Sequence, residues 1–260
     1  MYRDYDSNPL NVDTNKSTTQ LYLDLAKKTR AQLDAKFIET IKKEFGYVID
    51  REFIDDLALT TQIVIKSSQP LYLHGYLLYA TIRQYLDNNK EIKSMNILET
   101  GTARGFSSLV MAKALADSKR TGKILTIDIL PPCKPIYWNC IHDLQGRTTR
   151  LQLLKKWNKL VEQYVIFLQG YSDVILKQIE MSRIHIAFLD GAHDYLTVKN
   201  ELIYTSSHQA KGDVIVCDDY TKNQYPALVK AVNEFISHGD YTYKIYRSSS
   251  GRGYAYCKKK

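Results

Sequence analysis

The sequence predicts an α/β protein built on a doubly wound, mainly parallel sheet, and three observations carry that prediction. Short apolar runs, such as Ile97-Leu98 and Val214-Ile215-Val216-Cys217, alternate with stretches of helical spacing. Most of the runs end in an acid: Glu99, Asp128, Asp190, and Asp218 with Asp219. The chain closes on two strand-like runs, Tyr241 to Arg247 and Gly253 to Cys257, around the turn Ser248-Ser249-Ser250-Gly251-Arg252. That reads as a hairpin and adds one antiparallel strand to the sheet.

At 260 residues the chain can bury one large core, and 44% hydrophobic with 25% charged residues is the balance of a globular protein. No apolar run approaches the roughly 20 residues that span a bilayer, and the polar start lacks the pattern of a signal peptide, so the expectation is a cytoplasmic protein with no membrane partner. The four cysteines form no Cys-x-x-Cys pair and have no histidines at zinc spacing, which reads as ordinary thiols. A net charge of +8 invites nucleic acid, but the basic residues are spread along the chain, and an anionic small substrate would use the charge as well. Nucleic acid is therefore not expected as a partner.

Taken in order, residues 1–20 are polar and read as a loosely ordered arm. Leu21, Leu25, Leu33, Phe37, Ile41 and Phe45 recur at multiples of four, predicting one amphipathic helix capped by Gly46. Helices follow over Phe53 to Ile65 and, after Pro70, over Leu71 to Leu86. Residues 1–93 thus form an arm and a helical extension or lid, with Tyr72, His74, Tyr76 and Tyr79 as possible substrate contacts and the tyrosine-rich helices as a possible interface between copies of the chain. Residues 94–260 form the main domain. Its first unit is a strand at Asn96, the glycine turn Gly101-Thr102-Ala103-Arg104-Gly105, and a helix from about Phe106. Glycines let the backbone approach a nucleotide-like ligand closely, with helix N-terminal amides facing it. Lys123 to Asp128 is the second strand, and its terminal acid is placed to accept hydrogen bonds from ribose hydroxyls. The proline-rich stretch 131–146 cannot start as a regular helix. Beyond it come a helix over Thr149 to Leu160, a strand over Tyr164 to Leu168, and a short helix over Asp173 to Ile179. A strand over Ile184 to Leu189, a helix from about Tyr195, a strand over Asp213 to Cys217 and a helix from about Tyr225 complete the alternation.

Ligands of such a sheet sit beyond the carboxyl ends of its strands. There Glu99 and Asp128 flank the glycine turn and suit a cofactor's polar groups, while Asp190, Asp218 and Asp219 fall on neighbouring strand ends. Carboxylates that close repel one another unless protonated or bridged by a cation. Oxygen-only ligands point to a hard ion, Mg²⁺ first, with Mn²⁺ or Ca²⁺ as substitutes; the alternative is that the acids cap the helices that follow. His193, three residues beyond Asp190, is placed to take a proton from a hydroxyl, whereas His185 alternates within an apolar strand and reads as a core or interface histidine.

These residues resemble the class I S-adenosylmethionine-dependent methyltransferases. The likeness rests on Glu99-x-Gly101-x-x-x-Gly105-x-Ser107, Asp128, Phe188-Leu189-Asp190-Gly191-Ala192-His193-Asp194-Tyr195, and Gly212-Asp213-Val214-Ile215-Val216-Cys217-Asp218-Asp219-Tyr220. It is nearest to the metal-dependent O-methyltransferase branch, which includes the macrocin-type sugar enzymes. The resemblance covers about 95–257. It implies a Rossmann-like, seven-stranded methyltransferase sheet and S-adenosylmethionine as the cofactor. Glu99, Gly101, Thr102 and Ser107 would line its methionine part, Asp128 the ribose, and Tyr171 and Ser172 the adenine. Asp190 would serve cofactor and metal together, Asp218 and Asp219 would complete the Mg²⁺ or Mn²⁺ site, and His193 would be the base. The implied reaction is methyl transfer to a hydroxyl of a small molecule, a sugar or other vicinal diol. The alternative is a metal-independent methyltransferase acting on nucleic acid or protein, with the acids as helix caps. Arg104, a bulky cation within the glycine turn, is expected to point away from the cofactor's sulfonium.

Overall fold

The computed structural model describes residues 18–66 and 69–260. The arm expected over residues 1–20 lies almost entirely outside the described residues. The elements are α1 Thr18–Ala31, α2 Ala35–Phe45, α3 Arg51–Thr61, α4 Leu73–Asn88, β1 Ser94–Thr100, α5 Phe106–Asp117, β2 Thr121–Asp128, α6 Arg150–Leu153, α7 Asn158–Tyr164, β3 Val165–Gln169, α8 Ser172–Ile175, β4 Ile186–Leu189, α9 Tyr195–Ser207, β5 Val214–Cys217, α10 Pro226–Ser237, β6 Tyr241–Arg247 and β7 Gly253–Lys259. The strands form one seven-stranded sheet in the order β3-β2-β1-β4-β5-β7-β6. Strand β7 is antiparallel to both of its neighbours, and the pairs from β3 through β5 are parallel. This is the predicted doubly wound architecture with its single reversed strand.

Alternation along each strand builds two cores. Ile97 stands opposite Ile124 and Ile186, and Ile186 opposite Val214, on the face covered by α2 to α5 and α7. Leu98, Ala187, Ile215 and Cys257 line up on the other face, under α9 and α10. Both faces are covered, so the central strands read as continuous apolar runs. The helices of the N-terminal extension share the first core with the sheet.

The single helix expected from Leu21 to Phe45 is two. Asp34 breaks it by serving as the N-cap of α2, its carboxylate accepting the Phe37 amide at 2.9 Å. Asp, Asn, Ser and Thr compete in this way with helical hydrogen bonding, and a regular apolar spacing does not reveal it. Gly46 closes α2 in the left-handed conformation, as its position predicts. The stretch 149–160 is likewise split, into α6, a 3-10 turn and the start of α7.

The strand register sets the site. Leu189 pairs with Thr100 on one side and Cys217 on the other, so the residues that follow, Gly101, Asp190 and Asp218, emerge side by side at the carboxyl edge. Backbone bonds from Asp190 N–H to the Thr100 carbonyl and from Asp218 N–H to the Leu189 carbonyl, both 3.0 Å, extend the ladder by one step.

Candidate active site

Gly101 has φ of +88°, and a Cβ there would lie 2.3 Å from the Asp190 carbonyl oxygen. Glycine is therefore required by the close approach of the β1 and β4 ends as well as by any ligand. Beyond the turn lies a cavity of about 280 Å³ whose walls include Gly101, Asp128, Gly170, Tyr171, Ser172 and Gly191. Four residues assigned to the cofactor from sequence, Gly101, Asp128, Tyr171 and Ser172, thus meet in one cavity, which Ile127 and Ile129 line with apolar surface. The Asp128 carboxylate accepts the amides of Ala103 at 2.6 Å and Leu130 at 2.7 Å, so it is fixed in place. A fixed carboxylate beside apolar walls fits a nucleoside, whose hydroxyls need acceptors and whose base needs a hydrophobic slot.

Of the other four cofactor-side residues, Glu99, Thr102 and Ser107 are buried and already hydrogen-bonded within the protein. Ser107 and Ser108 both donate to the Glu99 carboxylate, which is fully buried and whose pKa burial pushes up. Thr102 Oγ1 lies 2.5 Å from Thr126 Oγ1. Their visible work is to fix the start of α5 and the glycine turn. Arg104 turns away to the proline-rich loop, donating to the Trp138 carbonyl at 2.5 Å. Arg150, fully buried, donates to the Ala103 carbonyl at 2.9 Å and the Leu130 carbonyl at 3.1 Å, clamping the two loops that hold Asp128 between them. Its place in a segment of helical spacing gave no sign of this.

Around the acid cluster the structure departs from the three-aspartate metal set. Asp218 is 0% exposed, and both of its oxygens accept from Arg252, at 2.9 Å from Nε and 2.7 Å from Nη2. Arg252 Nη2 also stands 3.3 Å from Asp219 Oδ1. Asp219, in the left-handed region at φ +56°, turns its other oxygen to His193 Nε2 at 3.1 Å. The side chains whose ligand atoms converge, all within 4.8 Å of one another, are Asp190, His193 and Asp219. Asp218 is thus held by a guanidinium. An ion on Asp190, Asp218 and Asp219 would have to share two of its ligands with that cation, so the three-aspartate set does not fit a divalent metal. An ion on Asp190, His193 and Asp219 would take the histidine as a ligand and remove it as a base.

The electrostatics follow from burial. Desolvation first, and then repulsion from Asp218, push the Asp190 carboxyl well above the usual range. The Asp219 carboxyl is held low: burial opposes ionisation, but the His193 hydrogen bond and Arg252 outweigh it. His74 lies against Phe188, its Nδ1 3.9 Å from Asp218 Oδ2, and burial pushes its pKa down to about 4, so it is neutral. Of the residues raised as substrate contacts, His74 is brought to the cluster, while Tyr72, just before α4, donates to Asp55 and Tyr79 to Asp117. His193 stacks on Tyr225 with centroids 4.2 Å apart, and its side chain is 41% exposed, open to a ligand. His185 accepts the Asn96 amide at 3.0 Å, a satisfied core histidine as expected. Arg252, Tyr225 and Arg150 were not foreseen; the one signal for Arg252 was the excess of acids, which demands a cation from somewhere.

The sheet order and the cavity at its carboxyl edge define a class I methyltransferase fold. The chain matches the family described as Methyltransferase domain over residues 98–220. Its structure is similar to the O-methyltransferase TomG of Streptomyces achromogenes, solved with S-adenosylmethionine, at 18% identity and a TM-score of 0.55 over 82% of this chain and 91% of that one. It is also similar to the O-methyltransferase NovP (16%, TM-score 0.54, 93% and 99%) and to a Bacillus cereus O-methyltransferase solved with S-adenosylhomocysteine (15%, TM-score 0.53, 93% and 100%). No curated protein matches the chain. Among the described residues no helix is long and apolar enough to cross a membrane.

Proposed function

We propose that this chain is an O-methyltransferase that carries the methyl group of S-adenosylmethionine to a hydroxyl of a small molecule. One observation bears most of the weight. Gly191, Ala192 and Asp194 line the 280 Å³ cavity, and His193, between them, has Nε2 held by Asp219. A base stands in the same short loop as the cofactor cavity.

S-adenosylmethionine supplies a methyl group already activated by its sulfonium. The chain's residues do the rest. Asp128 and the apolar walls orient the nucleoside. Asp219 holds the imbalance of charge that develops when His193 takes a proton, and fixes the ring so that Nδ1 is the nitrogen offered to the acceptor. His193 would take the hydroxyl proton at Nδ1 as the acceptor oxygen bonds the methyl carbon, with the carbon–sulfur bond electrons staying on the departing S-adenosylhomocysteine. Positioning is the protein's main contribution.

A vicinal diol, such as a sugar offers, suits this centre. One hydroxyl faces His193 while its neighbour finds Asp190, whose carboxyl is within 4.8 Å of the imidazole. The neighbours named for O-methyl transfer support the reaction class. The test is calorimetric titration with S-adenosylhomocysteine, followed by methyl transfer from labelled S-adenosylmethionine to a panel of sugars, catechols and RNA. Binding of the product with transfer confined to hydroxyl-bearing small molecules is expected; transfer to RNA alone would overturn the acceptor class.

A further inference from the structure

We propose that Arg252 is the resident cation of the acid cluster, standing where a divalent ion would bridge Asp218 and Asp219, so that the centre works without a metal. The inference deepens the methyl-transfer reading and rests on it for the word centre, but its geometry stands alone.

Close carboxylates need a counter-charge, and here the chain provides one. A guanidinium stays protonated at any pH a protein survives, and its planar fork matches a carboxylate edge. Arg252 uses that fork on Asp218, Nε at 2.9 Å and Nη2 at 2.7 Å, and reaches Asp219 with the same Nη2 at 3.3 Å. Its side chain is 23% exposed and Asp218 is 0% exposed, so water screens the pair little.

The cation is also built in. Ser248 N–H bonds the Arg252 carbonyl at 2.9 Å across the hairpin turn, and Gly251 turns it at φ +88°. Tyr220 N–H bonds the Gly253 carbonyl at 2.9 Å, and a Cβ on Gly253 would lie 2.3 Å from the Tyr220 carbonyl oxygen. The turn that carries the cation is therefore latched to the turn that carries the two acids. Lys66 also stands in the field of Asp190 and Asp219. A divalent ion entering this cluster would meet a fixed guanidinium on two of its three acidic ligands.

The test uses Mn²⁺ as the probe, followed through the paramagnetic resonance of the free ion, on wild type, Arg252→Met and Arg252→Lys. Methionine removes the charge and keeps the length; lysine keeps the charge. Wild type and Arg252→Lys should bind Mn²⁺ weakly, and Arg252→Met should bind it on the order of 10- to 100-fold tighter, the scale on which residues around metal ligands tune affinity. Adding Asp218→Asn to Arg252→Met should abolish the gain. Wild type binding Mn²⁺ as tightly as Arg252→Met would overturn the proposal. If Arg252→Met does not fold, wild type and the lysine variant still decide: tight Mn²⁺ binding by both refutes the resident cation, and weak binding by both upholds it. Titration of the same wild-type samples with S-adenosylhomocysteine separates the two readings, because its failure to bind would sink the methyl-transfer assignment and leave the Mn²⁺ comparison intact.

Discussion

Glu201 offers a measurement of a pKa shift in which burial is the largest cause, opposed by hydrogen bonding from Ser172 and Thr100. It lies on α9 with Val198, Leu202 and Thr205, facing the sheet at 1% exposure, and its Oε1 has no hydrogen-bond partner among the described residues. Burial pushes its pKa from the ordinary 4.5 up to about 7. The folded chain then keeps a proton that the unfolded chain has lost over that window. Below pH 4.5 both states are protonated and there is no penalty. As pH rises towards 7 stability falls by up to ~1.4 kcal/mol per unit, and above 7 the loss is complete at about 3 kcal/mol. Glu201→Gln keeps the shape and cannot ionise. At pH 8 it should be more stable than wild type by up to about 3 kcal/mol, or roughly 5–10 °C in melting temperature, with little or no advantage at pH 4.5. Urea unfolding of both proteins from pH 4.5 to 8, followed by circular dichroism, checks this. Parallel stability curves for the two proteins would refute the reasoning, since they would show that Glu201 ionises alike folded and unfolded.

Three further outcomes follow from the site. His193→Ala should lower turnover by about 10²–10⁴-fold, the usual share of a general base, while product binding measured by calorimetry stays near wild type; a turnover within a few-fold of wild type would remove His193 from the reaction. Gly101→Ala forces a left-handed residue against the Asp190 carbonyl and should cost on the order of 1–3 kcal/mol in thermal unfolding, together with weaker S-adenosylhomocysteine binding. An unchanged melt would show that the β1 and β4 ends can part at no cost. Arg150→Ala leaves the carbonyls of Ala103 and Leu130 without their donor and should destabilise by at least about 1–3 kcal/mol and loosen the cofactor cavity, read as a weaker affinity for S-adenosylhomocysteine.

What could be read from the sequence was what depends on short range. The sheet with its one reversed strand, the glycine turn, and the acids at strand ends are local patterns, and Asp128, Tyr171 and Ser172, which the family resemblance put on the cofactor, share a cavity. The break at Asp34 escaped because a cap is one residue's choice between two hydrogen-bond partners, and the apolar spacing runs on across it. The partners of the acids escaped for a different reason. Asp218 and Arg252 are 34 residues apart and meet because β7 turns back beside β5. A turn rich in serine and glycine looks free in sequence, and here its arginine is pinned by tertiary bonds. The bond that Ser107 donates to Glu99, two residues that the family resemblance puts on the cofactor, likewise shows only once the turn is folded.

The reversed strand links this topology to the chemistry. Six of the seven strands, β6 included, send their carboxyl ends to one edge, and an acid at most of those ends accumulates negative charge there. A parallel strand in place of β7 would add another carboxyl end and no counter-charge. The antiparallel β7 instead begins at that edge, so the residue just before it, Arg252, arrives beside Asp218 with its backbone already anchored through Gly253 and Tyr220. The consequence reaches His193. With Asp218 neutralised by Arg252, Asp219 can spend one oxygen on the guanidinium and the other on the imidazole, which orients the ring as a base. Were a metal to hold both aspartates and the histidine, the ring nitrogen now bonded to Asp219 would belong to the ion. The hairpin arginine and His193 are therefore two halves of one arrangement, and a variant that removes the first should change the hydrogen bonding of the second.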